Sequence, residues 1–544
     1  MKKIFTILLL IPLCLSAQNV INKQTIKEAE KIIGLEFTES ERDSMIDALN
    51  EQLGYYKVVR EFNLSNSIVP SVVFNPIPIG FVFNEKQEKL KYGDYSKTKK
   101  PASSDELAYY SIGQLAHLIK TKQISSVELT NLYLERLKKY SPKLESVITL
   151  TEELAHQQAK RADDELVKEK YRGMLHGIPY GVKDLLATKN YPTTWGAAPY
   201  KKQMIDEDAT VVKKLEEAGA VLVAKFTMGE LAWGDIWFGG KTRNPWNYEE
   251  GSSGSSAGSA SSVSAGLVPF AIGTETWGSI VSPSTVCGVT GLRPSYGRVS
   301  RSGAMALSWS MDKIGTICRN AEDLAIVFDV IRGLDPNDLT LYDYPFNYDH
   351  KIDFKKLKIG YLKEDFDKNY PFHSNDSLVL TQLKKLGAEL IPISLPKINV
   401  NSLSFILSAE SAAAFDELTR SNKDEELVRQ IKNAWPNLFR ANRFIPAVEY
   451  INANRIRTVL INEMNQIMNK IDFYLAPSWE GDNLLLTNLT GHPSVVVPTG
   501  KAPDGSNSSI TFIGRLFEEG NIIAAAKAFQ DATEYHLKRP MLVE

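Results

Sequence analysis

Cysteine is scarce in this 544-residue chain: Cys14, Cys287 and Cys318 are all it has. So few thiols exclude a disulfide-built scaffold. Cys287 and Cys318 read as unpaired core residues, with pairing left open. Histidine is sparse too. The seven histidines, at 117, 156, 176, 350, 373, 492 and 536, show no HExxH spacing, and there is no CxxC, so no metal site or cofactor is legible. An excess of one charge is also missing, because Lys+Arg total 63 against 65 Asp+Glu, a net −2. That balance gives no reason to expect nucleic acid or an anionic membrane as partner. After the first residues no run reaches the roughly 18 apolar positions that a bilayer span needs. What remains is an ordinary globular composition, 43% hydrophobic and 24% charged.

The one apolar run opens the chain. Lys2 and Lys3 precede Ile4 to Leu15, and Leu15-Ser16-Ala17 ends on a small residue. This pattern predicts a signal segment at 1–17, a mature start at Gln18 and a periplasmic or secreted location, with no membrane contact after cleavage. Pro12-Leu13 before Cys14 is not a lipoprotein context. Asn22 to Tyr56 reads as helical, with a T-x-x-E capping box at Thr38 and Glu41. Asn66 to Pro101 lacks periodicity. Residues 18–103 are therefore expected as a helical and irregular extension, with a boundary near Ser104 and one large domain over 104–544.

Within that domain strands alternate with helices. Leu144 to Leu150, Ile178 to Lys183 and Val221 to Ala224 are strand candidates, with helices at Tyr110–Tyr140, Glu152–Lys170 and after Asp208. Leu357 to Tyr361, the helix after Asp376 and Leu390 to Ile393 form a β-α-β unit. Further strands are expected at Asp472–Pro477 and Gly491–Pro498, and a closing helix at Asn521–Arg539. The alternation predicts an α/β layered fold. Phe405, Trp435, Phe439, Phe444 and Tyr450 lie on the helical stretch 401–460, either lining a cleft or packing helices.

Two stretches carry chemistry. Gly251 to Arg298 is crowded with Gly, Ser, Thr and Ala and holds no charge before Glu275. Hydroxyls are its abundant reactive groups, and a serine needs a base to act as a nucleophile. The second stretch, Leu175 to Leu186, ends an apolar strand on Lys183. A buried lysine is costly unless paired or neutral. Pairing with Asp184 is one outcome and a neutral base is the other. His176 is an alternative base that the residues leave open.

Gly254-Ser255-Ser256-Ala257-Gly258-Ser259-Ala260, Gly266-Leu267-Val268-Pro269, Gly278-Ser279-Ile280 and Cys287-Gly288-Val289-Thr290-Gly291-Leu292-Arg293-Pro294 together resemble the amidase signature. Gly177-Ile178-Pro179-x-Gly181-Val182-Lys183-Asp184 is similar to the same family's lysine strand. The resemblance implies one large α/β/α layered domain around a central mixed sheet. It also implies a Ser-cisSer-Lys triad: Lys183 as base, Ser255 as bridge on a cis peptide and Ser279 as nucleophile. A register using Ser252 fits less well, because the family's 24-residue spacing separates Ser255 from Ser279. The backbone of Thr276, Trp277 and Gly278 would form the oxyanion hole, and Ser256 and Trp277 would meet substrate.

The implied activity is hydrolysis of a small or peptide-like amide without cofactor. The alternatives are an esterase or carbamate hydrolase, a catalytically silent binding protein and an amidotransferase A-type subunit. A homodimer stays open. This copy departs from the family at four places: Trp277 for Gly, Glu275 for Asp, Val281 for Arg and Ala257 for Gly. The triad survives all four, while substrate preference inherited from the family does not follow.

Overall fold

The computed structural model describes residues 21–62 and 64–543. The expected signal segment and Cys14 lie outside them. The chain divides between Ile68 and Val69, not near Ser104. In the smaller unit the helical stretch read from 22–56 is two helices, Lys23–Ile33 and Glu39–Glu61, the second running on to Glu61. Gly34, at φ 70°, ends the first, and the Thr38/Glu41 capping box starts the second. A buried ion pair, Arg42 Nε to Glu30 Oε1 at 2.8 Å, ties them together.

The larger unit is built on an eleven-stranded mixed sheet. Its order is Val147–Leu150, Val221–Phe226, Pro179–Lys183, Phe270–Glu275, Lys313–Cys318, Thr290–Arg293, Ser494–Lys501, Asn507–Gly514, Phe473–Pro477, Lys358–Leu362 and Glu389–Ile393. Lys358–Leu362 and Glu389–Ile393 are parallel, as the β-α-β reading expects. Helices cover both faces, and the strands show it. Leu222 packs in one apolar cluster and its neighbours Val221 and Val223 in another, since successive strand residues face opposite ways. Trp435 and Phe439 are buried and stack with ring centroids 4.9 Å apart. They pack helices, whereas Phe444 is exposed. Cys287 and Cys318 are buried and unpaired. Among the described residues no helix is long and apolar enough to cross a membrane.

Strand direction builds the site. Pro179–Lys183 and Phe270–Glu275 are parallel, with Val182 opposite Ile272. Their carboxyl ends therefore bring Lys183 and Thr274 to the same edge. Lys313–Cys318 runs antiparallel to the second of these, with Lys313 opposite Glu275, so Asp312 enters at that edge as well. Crevices outside strand carboxyl ends are where open α/β sheets place their ligands.

Candidate active site

Lys183 is fully buried at this edge. Its Nζ lies 2.8 Å from Ser255 Oγ, 2.9 Å from Thr274 Oγ1 and 3.3 Å from Ser256 Oγ. Burial lowers its pKa to about 7, against the opposing charges of Asp312 and Glu275. Asp184 does not pair with it. Asp184 Oδ1 faces Lys225 Nζ at 3.0 Å, and its Oδ2 accepts from the Thr194 N–H and hydroxyl.

The Gly254–Ser255 peptide is cis, as the resemblance implies. Helix Ala257–Ser264 follows, all small or β-branched residues and all buried. Its small residues allow a close approach: a Cβ on Gly258 would lie 2.2 Å from Ser146 O and 2.6 Å from Thr227 N. Ser252 takes no part in the lysine cluster, since its hydroxyl donates to Ser253 O. Ser256 has a different place from the one expected. It is fully buried, and its hydroxyl bonds both the carbonyl and the N–H of Thr274 at 3.1 Å. It therefore belongs to the frame under the site and not to a substrate surface.

Ser279 is 8% exposed. It sits in the turn between strand Phe270–Glu275 and helix Val281–Cys287, and its carbonyl accepts from Ser256 N–H at 3.2 Å. Gly278 turns the chain at φ 86°; a Cβ there would stand 3.1 Å from Leu484 Cδ2 and Ser282 Oγ in a backbone region that side chains avoid. Among the described residues none supplies an acceptor to the N–H groups of Thr276, Trp277 or Gly278. Trp277 is 43% exposed beside Ser279.

Several residues that brace this turn were not expected as site residues from the sequence. Glu275 Oε2 accepts from Ile280 and Val281 N–H at 2.9 and 3.0 Å, and Oε1 from Arg293 and Asn488 at 2.7 and 2.8 Å. Burial pushes the Glu275 pKa up, but Arg293 and these hydrogen bonds outweigh it and hold it at about 2. Asp312 Oδ1 accepts from Thr276 Oγ1 at 2.5 Å. Glu275 and Arg293 both stand in the Gly251–Arg298 stretch, but nothing in the sequence says that they meet. Asp312 and Asn488 carry no spacing signal. His176, the alternative base, is elsewhere: its Nε2 is 2.9 Å from Ala162 O and its ring lies against Tyr171.

Hydroxyls held against a buried lysine at the carboxyl ends of sheet strands are an arrangement that nucleophilic catalysis can use. The profile of the amidase family matches residues 128–484. The A-type component of the glutamyl-tRNA(Gln) amidotransferase of Geobacillus kaustophilus is 33% identical over 486 residues, covering 80% of this chain and 99% of that one. Its counterpart in Halalkalibacterium halodurans is 35% identical, covering 77% and 96%. The solved peptide amidase of Stenotrophomonas maltophilia superposes with a TM-score of 0.70 at 27% identity, covering 80% of this chain and 99% of that one. An amidase family protein from Bacillus anthracis gives 0.71 at 27%, covering 81% and 94%. The chain belongs to the amidase family and is an amidase signature enzyme, an amide hydrolase.

Proposed function

We propose that the protein cleaves a small or peptide-like carboxylic amide to acid and amine through an acyl-enzyme on Ser279. One observation carries this reading: Lys183 Nζ lies 2.8 Å from Ser255 Oγ, at a position where burial brings the lysine to about 7. A base poised near neutrality serves proton transfer best. Neutral Lys183 takes the Ser255 proton while Ser255 takes that of Ser279. Ser279 Oγ then bonds the carbonyl carbon, and the carbonyl oxygen takes the negative charge. The N–H groups of Thr276, Trp277 and Gly278 stabilise that charge. Collapse expels the amine, which receives the relayed proton, and water releases the acid by the reverse relay.

Export belongs to the same reading and rests on Lys2, Lys3 and the apolar stretch Ile4–Leu15. N-terminal sequencing of the secreted protein is expected to start at Gln18. An amidotransferase A-type role is favoured by the identity to such components over 99% of their length, and would require partner proteins. Esters and carbamates share the acyl-transfer route. The purified chain, assayed alone on amides, esters, carbamates and dipeptide amides, separates these readings. Labelling by a fluorophosphonate probe, lost in Ser279→Ala, tests the nucleophile, and unchanged labelling rejects it.

A further inference from the structure

Residues 69–103 fold with the larger unit, although the family match begins only at 128. From Phe74 to Tyr95 they form a strap across it. Asn75 Oδ1 accepts from Tyr342 OH at 3.1 Å, and Ile79 N–H donates to Asn462 Oδ1 at 3.2 Å. Gln87 donates to Phe346 O at 2.8 Å, and Lys91 N–H to Tyr348 O at 2.9 Å. Such an unperiodic segment ordinarily varies freely at a surface. Phe74 is half-buried there. Its ring meets Tyr296 edge-on with centroids 5.0 Å apart and lies 3.5 Å from the buried Arg457 guanidinium.

From Arg457 a line of hydrogen bonds runs to the turn before Ser279. Arg457 Nη1 and Nη2 donate to Ser310 Oγ and Ser310 O, both at 2.9 Å. Ser310 N–H and Oγ donate to Glu410 at 3.0 and 2.7 Å, and Ser308 Oγ donates to the same carboxylate at 2.6 Å. Ser308 N–H donates to Asp312 Oδ2 at 2.9 Å, and Asp312 Oδ1 holds the Thr276 hydroxyl at 2.5 Å. The Ser310 hydroxyl gives its one proton to Glu410 and accepts from Arg457, so its orientation depends on both.

We infer that the strap is a working part of the site: Phe74 seats Arg457, and through Ser308–Asp312 sets Thr276 and the N–H groups around Ser279. This rests on the reading of Ser279 as nucleophile. A ring against the guanidinium excludes the water that would compete for its donors. Loss of the ring loosens the turn, and small displacements of oxyanion donors slow acyl transfer while leaving binding alone. Phe74 is thus a positioning residue that reaches no reacting atom.

The test labels the full chain with a fluorophosphonate probe, which reads Ser279 without a known substrate. Absence of labelling in the native protein overturns the reading of the site, and this inference with it. Given labelling lost in Ser279→Ala, Phe74→Ala is expected to lower the saturating rate about tenfold, with half-saturation and melting temperature near the native values. Phe74→Trp is expected to restore the rate. Val82→Ala, an exposed strap change, is expected to leave it unaltered. A native rate in Phe74→Ala, or a loss that Phe74→Trp does not repair, overturns the inference. Arg457→Lys keeps the charge without the fork on Ser310 and serves if Phe74→Ala does not fold. It is expected to show the same loss, and a native rate there is equally fatal.

Discussion

Asp184 pairs with Lys225 at 3.0 Å, and the residue before it in the chain, Lys183, faces Ser255. Both ammonium groups are buried, and burial lowers both pKa values. The difference is the partner. Lys225 has a carboxylate in contact, while the acidic groups that raise Lys183, Asp312 and Glu275, make no hydrogen bond to it. Lys225 is held by a carboxylate, whereas Lys183 is held by hydroxyls, the arrangement that the proposed role as a base requires.

Activity is therefore expected to rise about tenfold per pH unit below about 7 and to level off above it. Lys183→Ala is expected to abolish turnover. A flat pH–rate profile contradicts the role.

The same group predicts a stability trend. Lys183 titrates near 10.5 when unfolded and near 7 when folded. Between those values the unfolded chain binds more protons, so folding stability rises with pH across that window. Urea unfolding at a series of pH values is expected to show this rise in the native chain and a flatter profile in Lys183→Met.

Asp184→Asn leaves the Lys225 ammonium buried without its anion. Breaking one partner of such a pair costs about 3–5 kcal/mol. Denaturant unfolding is the measurement, and a change under about 1 kcal/mol, the range of an exposed pair, rejects the pairing's importance.

Glu275→Gln removes the charge that collects four donors under the turn bearing Ser279. A destabilisation of about 3–5 kcal/mol is expected, because Arg293 is then buried unpaired. The Ser279 labelling rate is expected to fall with it. Native Glu275, held at about 2, contributes stability that is fully present above its ordinary 4.5 and is lost as pH falls toward 2.

Trp277→Gly restores the residue usual in the family. Removing the indole is expected to shift kcat/KM toward bulkier acyl groups over small ones by about tenfold. An unchanged ratio across an acyl-length series shows that Trp277 does not shape the acyl side.

Much of this was legible as pattern. Periodicity placed the strand ending on Lys183, the β-α-β unit and the Thr38/Glu41 cap, because those depend on residues close in the chain. The choice of Ser255 over Ser252 came instead from the family resemblance, whose 24-residue spacing fits Ser255 and Ser279. The extension was less legible. Residues 69–103 carry no periodicity, and what attaches them is side chains such as Phe74 meeting Arg457, 383 positions away.

Local order in the chain thus names the hydroxyls, the lysine and the elements that bear them. Tertiary structure decides which lysine keeps a counter-ion, which serine lies against Lys183 and which is locked into the frame. It also brings Asp312, Asn488 and Arg293 together around one turn. Those outcomes depend on strand order and burial, and both are set by packing between segments well separated in the chain, where no local pattern can register them.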